Sequence, residues 1–263
     1  MKSHFFTFFM LLISNTSSIV AQNSGPYHLS LKREILYAGG GVGLYLFGNN
    51  LRDRTPDIVL SDLELPNIPR FDRIATNYSS GSARKASDIT KDFATALPLT
   101  LLIGRNSRKD AGKIAILFGE VLLINQGLTE IVKASALRPR PYVFAEDLPS
   151  TTVLSGNDRA AFLSGHTSGT AAASFFFAKT FSDYYPDSRL KPYVWGTAIA
   201  LPVLTGYFRV RAGQHYPSDV VAGYALGAAV GYLVPALHKR PTNKRRFTLS
   251  PGGEGIYMSY TFK

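Results

Sequence analysis

Two histidines and three basic side chains draw notice because each sits where a helix begins or ends. The stretch Arg209-Val-Arg-Ala-Gly-Gln-His215-Tyr-Pro-Ser-Asp219 sets an imidazole between two arginines and a carboxylate. Pro217 suits the first position of a helix, so Asp219 falls in the first turn with His215 just ahead of it, within hydrogen-bonding distance of its carboxylate. Ser164-Gly165-His166 opens another helical run, with Ser164 as N-cap, Gly165 allowing a close backbone approach and His166 in the first turn. Lys133 closes a third run, and Arg140 follows seven residues later, just before Pro141.

Together these types fit phosphoryl transfer, which needs donors for three equatorial oxygens and an attacking atom in line with the leaving oxygen. Lys133, Arg140 and Arg209 would supply the positive charge, and Ser164 with the Gly165 N–H would complete a cradle at a helix N-terminus. His215 would attack phosphorus, with Asp219 holding its tautomer and stabilising the imidazolium that results. His166 would protonate the leaving alkoxide and then activate water. Taken singly, each piece has a plainer use: basic residues complement a helix C-terminus, Ser-Gly-His is a cap, and His215 with Asp219 is a capping pair.

What turns three weak pieces into one site is the set of elements that must carry them. Helical periodicity or long apolar runs occur at roughly 33–51, 91–104, 111–137, 165–183, 192–209 and 217–238. Two long connections separate them, residues 52–90 and 138–163, the second opening with Arg-Pro-Arg-Pro, which forbids a continuing helix. Up-and-down connectivity puts the third-to-fourth and fifth-to-sixth connections on one face, so the pieces can meet. The expected fold is all-α, a six-helix bundle over residues 22–246. Residues 247–263 alternate around Pro-Gly-Gly and predict a short β-hairpin appendage.

Lys133 with Arg140-Pro141, Ser164-Gly165-His166, and Arg209 with His215 and Asp219 resemble the three-part signature of the type 2 phosphatidic acid phosphatases (PAP2), a superfamily shared with vanadium haloperoxidases. The resemblance spans about residues 90–238. It implies a phosphohistidine on His215, Asp219 as its partner, His166 as general acid, phosphate ligands at Lys133, Arg140, Ser164, Gly165 and Arg209, and no metal or other cofactor. Leu163 stands where the family usually has proline, and Phe208 where it usually has serine. The doubled Arg-Pro-Arg-Pro and Arg-Val-Arg leave Arg138 and Arg211 as rival ligands, though family spacing favours Arg140 and Arg209. Two alternatives use the same residues: a vanadate-dependent haloperoxidase, and a non-catalytic envelope protein that binds anionic lipid.

The bulk numbers agree with an anionic partner. Among 263 residues, 29 basic side chains face 18 acidic ones, a formal charge of +11, which favours phosphate groups or acidic lipid surfaces. Cysteine is absent, which excludes disulfides, thiolate metal sites and a cysteine nucleophile. Residues 1–21 read as a secretory signal: one lysine, an apolar run from Phe5 to Ile13 too short to span a bilayer, and small Ala21. Basic clusters at 105–113 and 238–246 would face the cytoplasm if the bundle crossed a membrane, putting the site outside, whereas a cleaved signal followed by six crossings would put it inside. The expectation is an exported, membrane-associated envelope protein with its site towards the periplasm. Its substrate would be a phosphorylated lipid or isoprenyl diphosphate, and it would have no nucleic-acid partner.

Overall fold

In the computed structural model, residues 25–62, 68–145, 149–240, 247–252 and 255–260 are described. The expected signal segment, 1–21, lies outside them. Six long helices form among the described residues: α1 (Leu31–Asp53), α2 (Gly81–Ala96), α3 (Ala111–Ala136), α4 (Gly165–Tyr184), α5 (Lys191–Arg211) and α6 (Pro217–His238). Single-turn helices at Arg105–Arg108 and Tyr142–Ala145 sit in the connections. The all-α expectation holds, and five of the six helices lie within two residues of the spans read from periodicity at both ends.

The exception is α2, expected at 91–104 and found ten residues earlier. The Ser80 hydroxyl accepts from the Ala83 N–H at 3.2 Å, so the polar stretch before residue 91 is a capped first turn. This helix buries Ser87 and Ala94, side chains too small to leave an apolar stripe in the sequence. It ends where Pro98 tightens the chain into the 3-10 turn Leu97–Leu102.

The hub of the bundle is α4, which packs against α2, α3, α5 and α6. Its buried residues are mostly small: Thr167, Ser168, Thr170, Ala171, Ala172, Ala173 and Ser174. Small side chains let four neighbours approach, and the approach of α6 is the tightest. A Cβ on Gly223, Gly227 or Gly231 would stand 2.5, 2.0 and 2.3 Å from the carbonyl oxygens of Ser164, Ser168 and Ala172. Glycine every fourth residue therefore sets one helix backbone on the other. Ser168 Oγ donates to Asn125 Oδ1 of α3 at 2.6 Å, satisfying two polar groups inside the contact. Around this hub, Leu117, Val121, Phe176 and Val230 form the apolar core, each large side chain contributing about 1.5–3 kcal/mol by leaving water. Phe176 stacks on Phe118 with ring centroids 5.1 Å apart, so within the Ser-Phe-Phe-Phe run it is a core residue.

Large apolar side chains also cover the outside. Ile35, Leu36 and Phe47 of α1, Ile89 and Phe93 of α2, Tyr193 and Val203 of α5, and Val221 and Leu237 of α6 are all exposed. Two helices, α3 and α6, are long and apolar enough to cross a membrane.

The connections are stitched together at both ends of the bundle. At the end where α3 finishes and α4 begins, β1 (Ile58–Val59) pairs antiparallel with β2 (Val153–Leu154), tying the two long connections to each other. At the opposite end Tyr27 bridges Lys239, with His28 N donating to the His238 carbonyl at 3.0 Å and Arg240 N to that of Pro26 at 2.9 Å. The expected hairpin is present as β3 (Phe247–Gly252) and β4 (Gly255–Tyr260), with Phe247 opposite Tyr260.

Candidate active site

The end of α3 shapes the first part of the site. Leu137 takes a left-handed conformation, φ 45° and ψ 34°, and its N–H caps the Lys133 carbonyl at 3.1 Å. The chain then turns back, and Arg140 N donates to Asp158 O at 2.8 Å while Tyr142 N donates to Gly213 O at 3.0 Å. The Arg-Pro-Arg-Pro segment is thereby fastened to the loop before α4 and to the turn between α5 and α6. Ser164 N donates to the Asp219 carbonyl at 3.0 Å, which joins the starts of α4 and α6.

These ties bring the predicted cations together. Gln214 Oε1 accepts from Arg140 Nη1 at 2.7 Å and from Arg209 Nη2 at 3.4 Å. A Cβ on Gly165 would lie 3.0 Å from Lys133 Nζ, so the lysine ends against the bare backbone at the start of α4. Both arginines are buried. Among the described residues neither is within 4 Å of a carboxylate: Arg140 otherwise donates to the Asn157 carbonyl and Oδ1, and Arg209 to Ser87 Oγ at 3.4 Å. Arg209 Nε has no acceptor among the described residues. Among the described residues Lys133 meets one distant carboxylate, Glu130 Oε1 at 3.7 Å, which Arg52 claims more closely through Oε2 at 3.0 Å.

The rivals are accounted for elsewhere. Arg138 pairs with Asp72 at 2.8 Å and with Asp219, and its guanidinium lies 4.0 Å from the centre of the Tyr216 ring. Arg211 stacks over Tyr78 at 4.3 Å. Their charges are spent on structure, whereas those of Arg140 and Arg209 are left facing the cleft residues Gln214 and Asn157.

His215 is fully buried, and its Nδ1 lies 2.7 Å from the Ala161 carbonyl oxygen. A carbonyl only accepts, so Nδ1 carries the proton and Nε2 presents a lone pair. This corrects the role expected of Asp219. Its Oδ2 is 3.7 Å from His215 Nδ1, beyond hydrogen-bond reach, and instead accepts from Tyr216 N at 2.8 Å while Oδ1 holds Arg138. Asp219 caps α6 and stands near the ring, and the Ala161 carbonyl sets the tautomer. Burial together with Arg140, Arg209 and Lys133 holds His215 well below the usual imidazole range.

The histidine that does bond a carboxylate is His166, whose Nε2 meets Asp88 Oδ1 of α2 at 2.8 Å. Burial and Arg209 lower it to about 4, against the upward pull of Asp88. Arg209 thus acts electrostatically on both imidazoles. Ser164 is buried as the N-cap of α4, its hydroxyl 3.4 Å from Thr167 N and 2.9 Å from Thr167 Oγ1. Beside Arg140 a cleft of about 330 Å³ is lined by Ser80, Arg84, Tyr142, Asn157 and Gln214. Of the residues completing the site, sequence reasoning passed over Asp88, Gln214, Asn157 and Arg52. Gln214 alone had a local signal, its place beside His215.

The fold is all-α in its bundle, and one end of that bundle gathers two imidazoles and three cationic side chains beside a polar cleft. Residues 114–243 match the PAP2 superfamily, and the chain belongs to that superfamily. The matched segment carries all three pieces of the site. Lipid A 1-phosphatases of Rhizobium etli and Rhizobium johnstonii are each 34% identical over 115 residues, 43% of this chain and 45% and 43% of those proteins; the chain thus matches less than half of each relative. A solved structure, the transmembrane PAP2-type phosphatidylglycerolphosphate phosphatase of Bacillus subtilis, aligns over 78% of this chain and 98% of its own, at 20% identity and a TM-score of 0.48.

Proposed function

We propose that this protein is a phosphatase that removes a phosphate group from a membrane lipid, through a phosphohistidine on His215. One observation carries the reading: the lone pair of a buried imidazole sits among Lys133, Arg140 and Arg209, and neither arginine has a carboxylate partner among the described residues. Such a field needs an anion, and a tetrahedral phosphate offers the oxygens that three cations, the Ser164 hydroxyl and the Gly165 N–H would share.

In the first step His215 Nε2 bonds to phosphorus as the bond to the lipid oxygen breaks, and His166 delivers a proton to that oxygen. The ring on His215 becomes cationic, stabilised by the Ala161 carbonyl on Nδ1 and by the nearby Asp219 carboxylate. In the second step water attacks phosphorus and loses a proton to His166. The P–N bond breaks, phosphate leaves, and both histidines return to their starting states. The positive charge this chemistry needs comes from side chains of the chain itself.

The lipid is argued from two sides. The relatives are named as lipid A 1-phosphatases, and the polar cleft beside Arg140 offers hydroxyls and Arg84 to the headgroup of a phosphorylated lipid. Isoprenyl diphosphates present the same terminal phosphate. The apolar exterior supports membrane association, and the signal-like leader supports export with the site towards the periplasm.

Rapid quenching after mixing with a radiolabelled lipid phosphate tests the mechanism. The wild type is expected to carry acid-labile label on the protein, and His215→Asn to carry none. Equal label on both would overturn the assignment of His215.

A further inference from the structure

At the end of the bundle away from the cleft, three buried ligating side chains meet: Glu34 of α1, Glu120 of α3 and His238 of α6. The phosphatase reading makes no use of them. His238 Nδ1 lies 2.8 Å from the Val234 carbonyl oxygen, so Nδ1 carries a proton and Nε2 is the ring atom that holds either a second proton or, through its lone pair, a metal. Nε2 faces Glu34 Oε2 at 3.2 Å and Glu120 Oε2 at 3.5 Å. Among the described residues no N–H or hydroxyl donor reaches either oxygen of Glu120, although the residue is wholly buried, and its carboxyl lies within hydrogen-bond range of that of Glu34. Three electron-rich atoms in a dry interior need a cation among them, either a shared proton or a metal ion.

We propose that the cation is a divalent metal ion, zinc being the best match, held by Glu34 Oε2, Glu120 and His238 Nε2. Tetrahedral zinc with spokes of about 2.0–2.1 Å sets its ligands about 3.4 Å apart, a spacing bracketed by the two separations from Nε2. The surroundings are those of a ligand set held in place. The Val234 carbonyl fixes the tautomer and orientation of the histidine, as outer partners of ligating histidines do. Ser30 N donates to Glu34 Oε1 at 3.0 Å, with Arg33 Nε 3.5 Å from the same atom, which leaves Oε2 for the ion. The Tyr37 ring, 5.1 Å from that of His238, closes one side. A metal here would tie α1 to α3 and α6, at the end where residues 26–28 pair with 238–240. Its role is structural, remote from phosphoryl transfer.

The test uses the tag-free full chain in detergent, stripped with a chelator and then given zinc alone. The wild type is expected to retain about one zinc per chain after dialysis and to melt higher with zinc than without. Glu120→Gln and His238→Gln, which keep the volume of the site, are expected to weaken zinc binding by at least ~100-fold. Cobalt in place of zinc should give the visible absorption of a tetrahedral nitrogen–oxygen site, which decides the matter on the wild type alone should the variants fail to fold. Zinc retained equally by wild type and variants, or cobalt binding without that absorption, overturns the proposal. So does a wild type that retains no zinc, in which case a shared proton holds the cluster together.

Discussion

Asp88 gives His166 a control that His215 lacks. Without substrate both imidazoles are neutral near pH 7, His166 at about 4 and His215 well below its ordinary value. A bound phosphate offsets the field of Arg209, which favours the protonated His166 that the first step needs. Asp88 pulls the same way through its bond at 2.8 Å. Replacing it with asparagine removes the upward pull, lowers the pKa of His166 further and leaves less of it protonated at any given pH. Asp88→Asn is therefore expected to lower kcat about 10-fold at pH 7 and to move the alkaline limb of kcat to lower pH. A pH–rate profile unchanged from the wild type would mean that Asp88 serves only the helix that carries it. This partnership was illegible in the sequence because the two residues lie 78 positions apart on helices that touch only after folding. His215, Arg140 and Arg209 were legible because each adjoins a proline, glycine or helix end that marks it as unusual. The tautomer of His215 was not, since Asp219 is the obvious acceptor by spacing and the Ala161 carbonyl leaves no trace in side-chain identity.

Among the elements, the contact of α4 with α6 has the least tolerance. Gly227→Val would put Cβ 2.0 Å from the Ser168 carbonyl oxygen and must push apart two helices that begin at Ser164-His166 and just after His215. The expected result is a loss of about 1–3 kcal/mol of stability, read as a lower melting temperature. Turnover should also fall at temperatures where the variant is still folded. Gly196 on α5 makes the contrast, because nothing lies within 4 Å of a Cβ there. Gly196→Ala is expected to melt slightly higher, by the helix preference of alanine over glycine. Equal effects at the two positions would refute the close-packing account. The bounds of α6 could be read directly because Pro217 starts it and Pro241 follows its end, whereas those of α2 could not because its packing face is serine and alanine. The β1–β2 ladder was likewise unreadable: two residues pairing with two others across the chain carry no periodicity.

At the scale of the whole molecule, the placement of apolar residues separates two classes of protein. Exposed leucines, isoleucines and aromatics occur on α1, α2, α5 and α6, more large apolar side chains than a water-facing surface normally carries. The chain is expected to remain with the membrane pellet through an alkaline carbonate wash and to leave it only in detergent. Release into the carbonate supernatant would count against lipid contact. The meeting of the three motif pieces could be foreseen from the alternating directions of successive helices. The opposite pole could not, since Glu34, Glu120 and His238 are each unremarkable in sequence and gain meaning only as neighbours. That pole also decides how the molecule answers to force. Residues 26–28 and 238–240 run antiparallel, so tension on the two flanking segments opens their bridge like a zip, one bond after the next from Arg240–Pro26 inwards. Anything tethered to either side would tug first on that seam, leaving the pole of the proposed site mechanically shielded by the full length of the bundle.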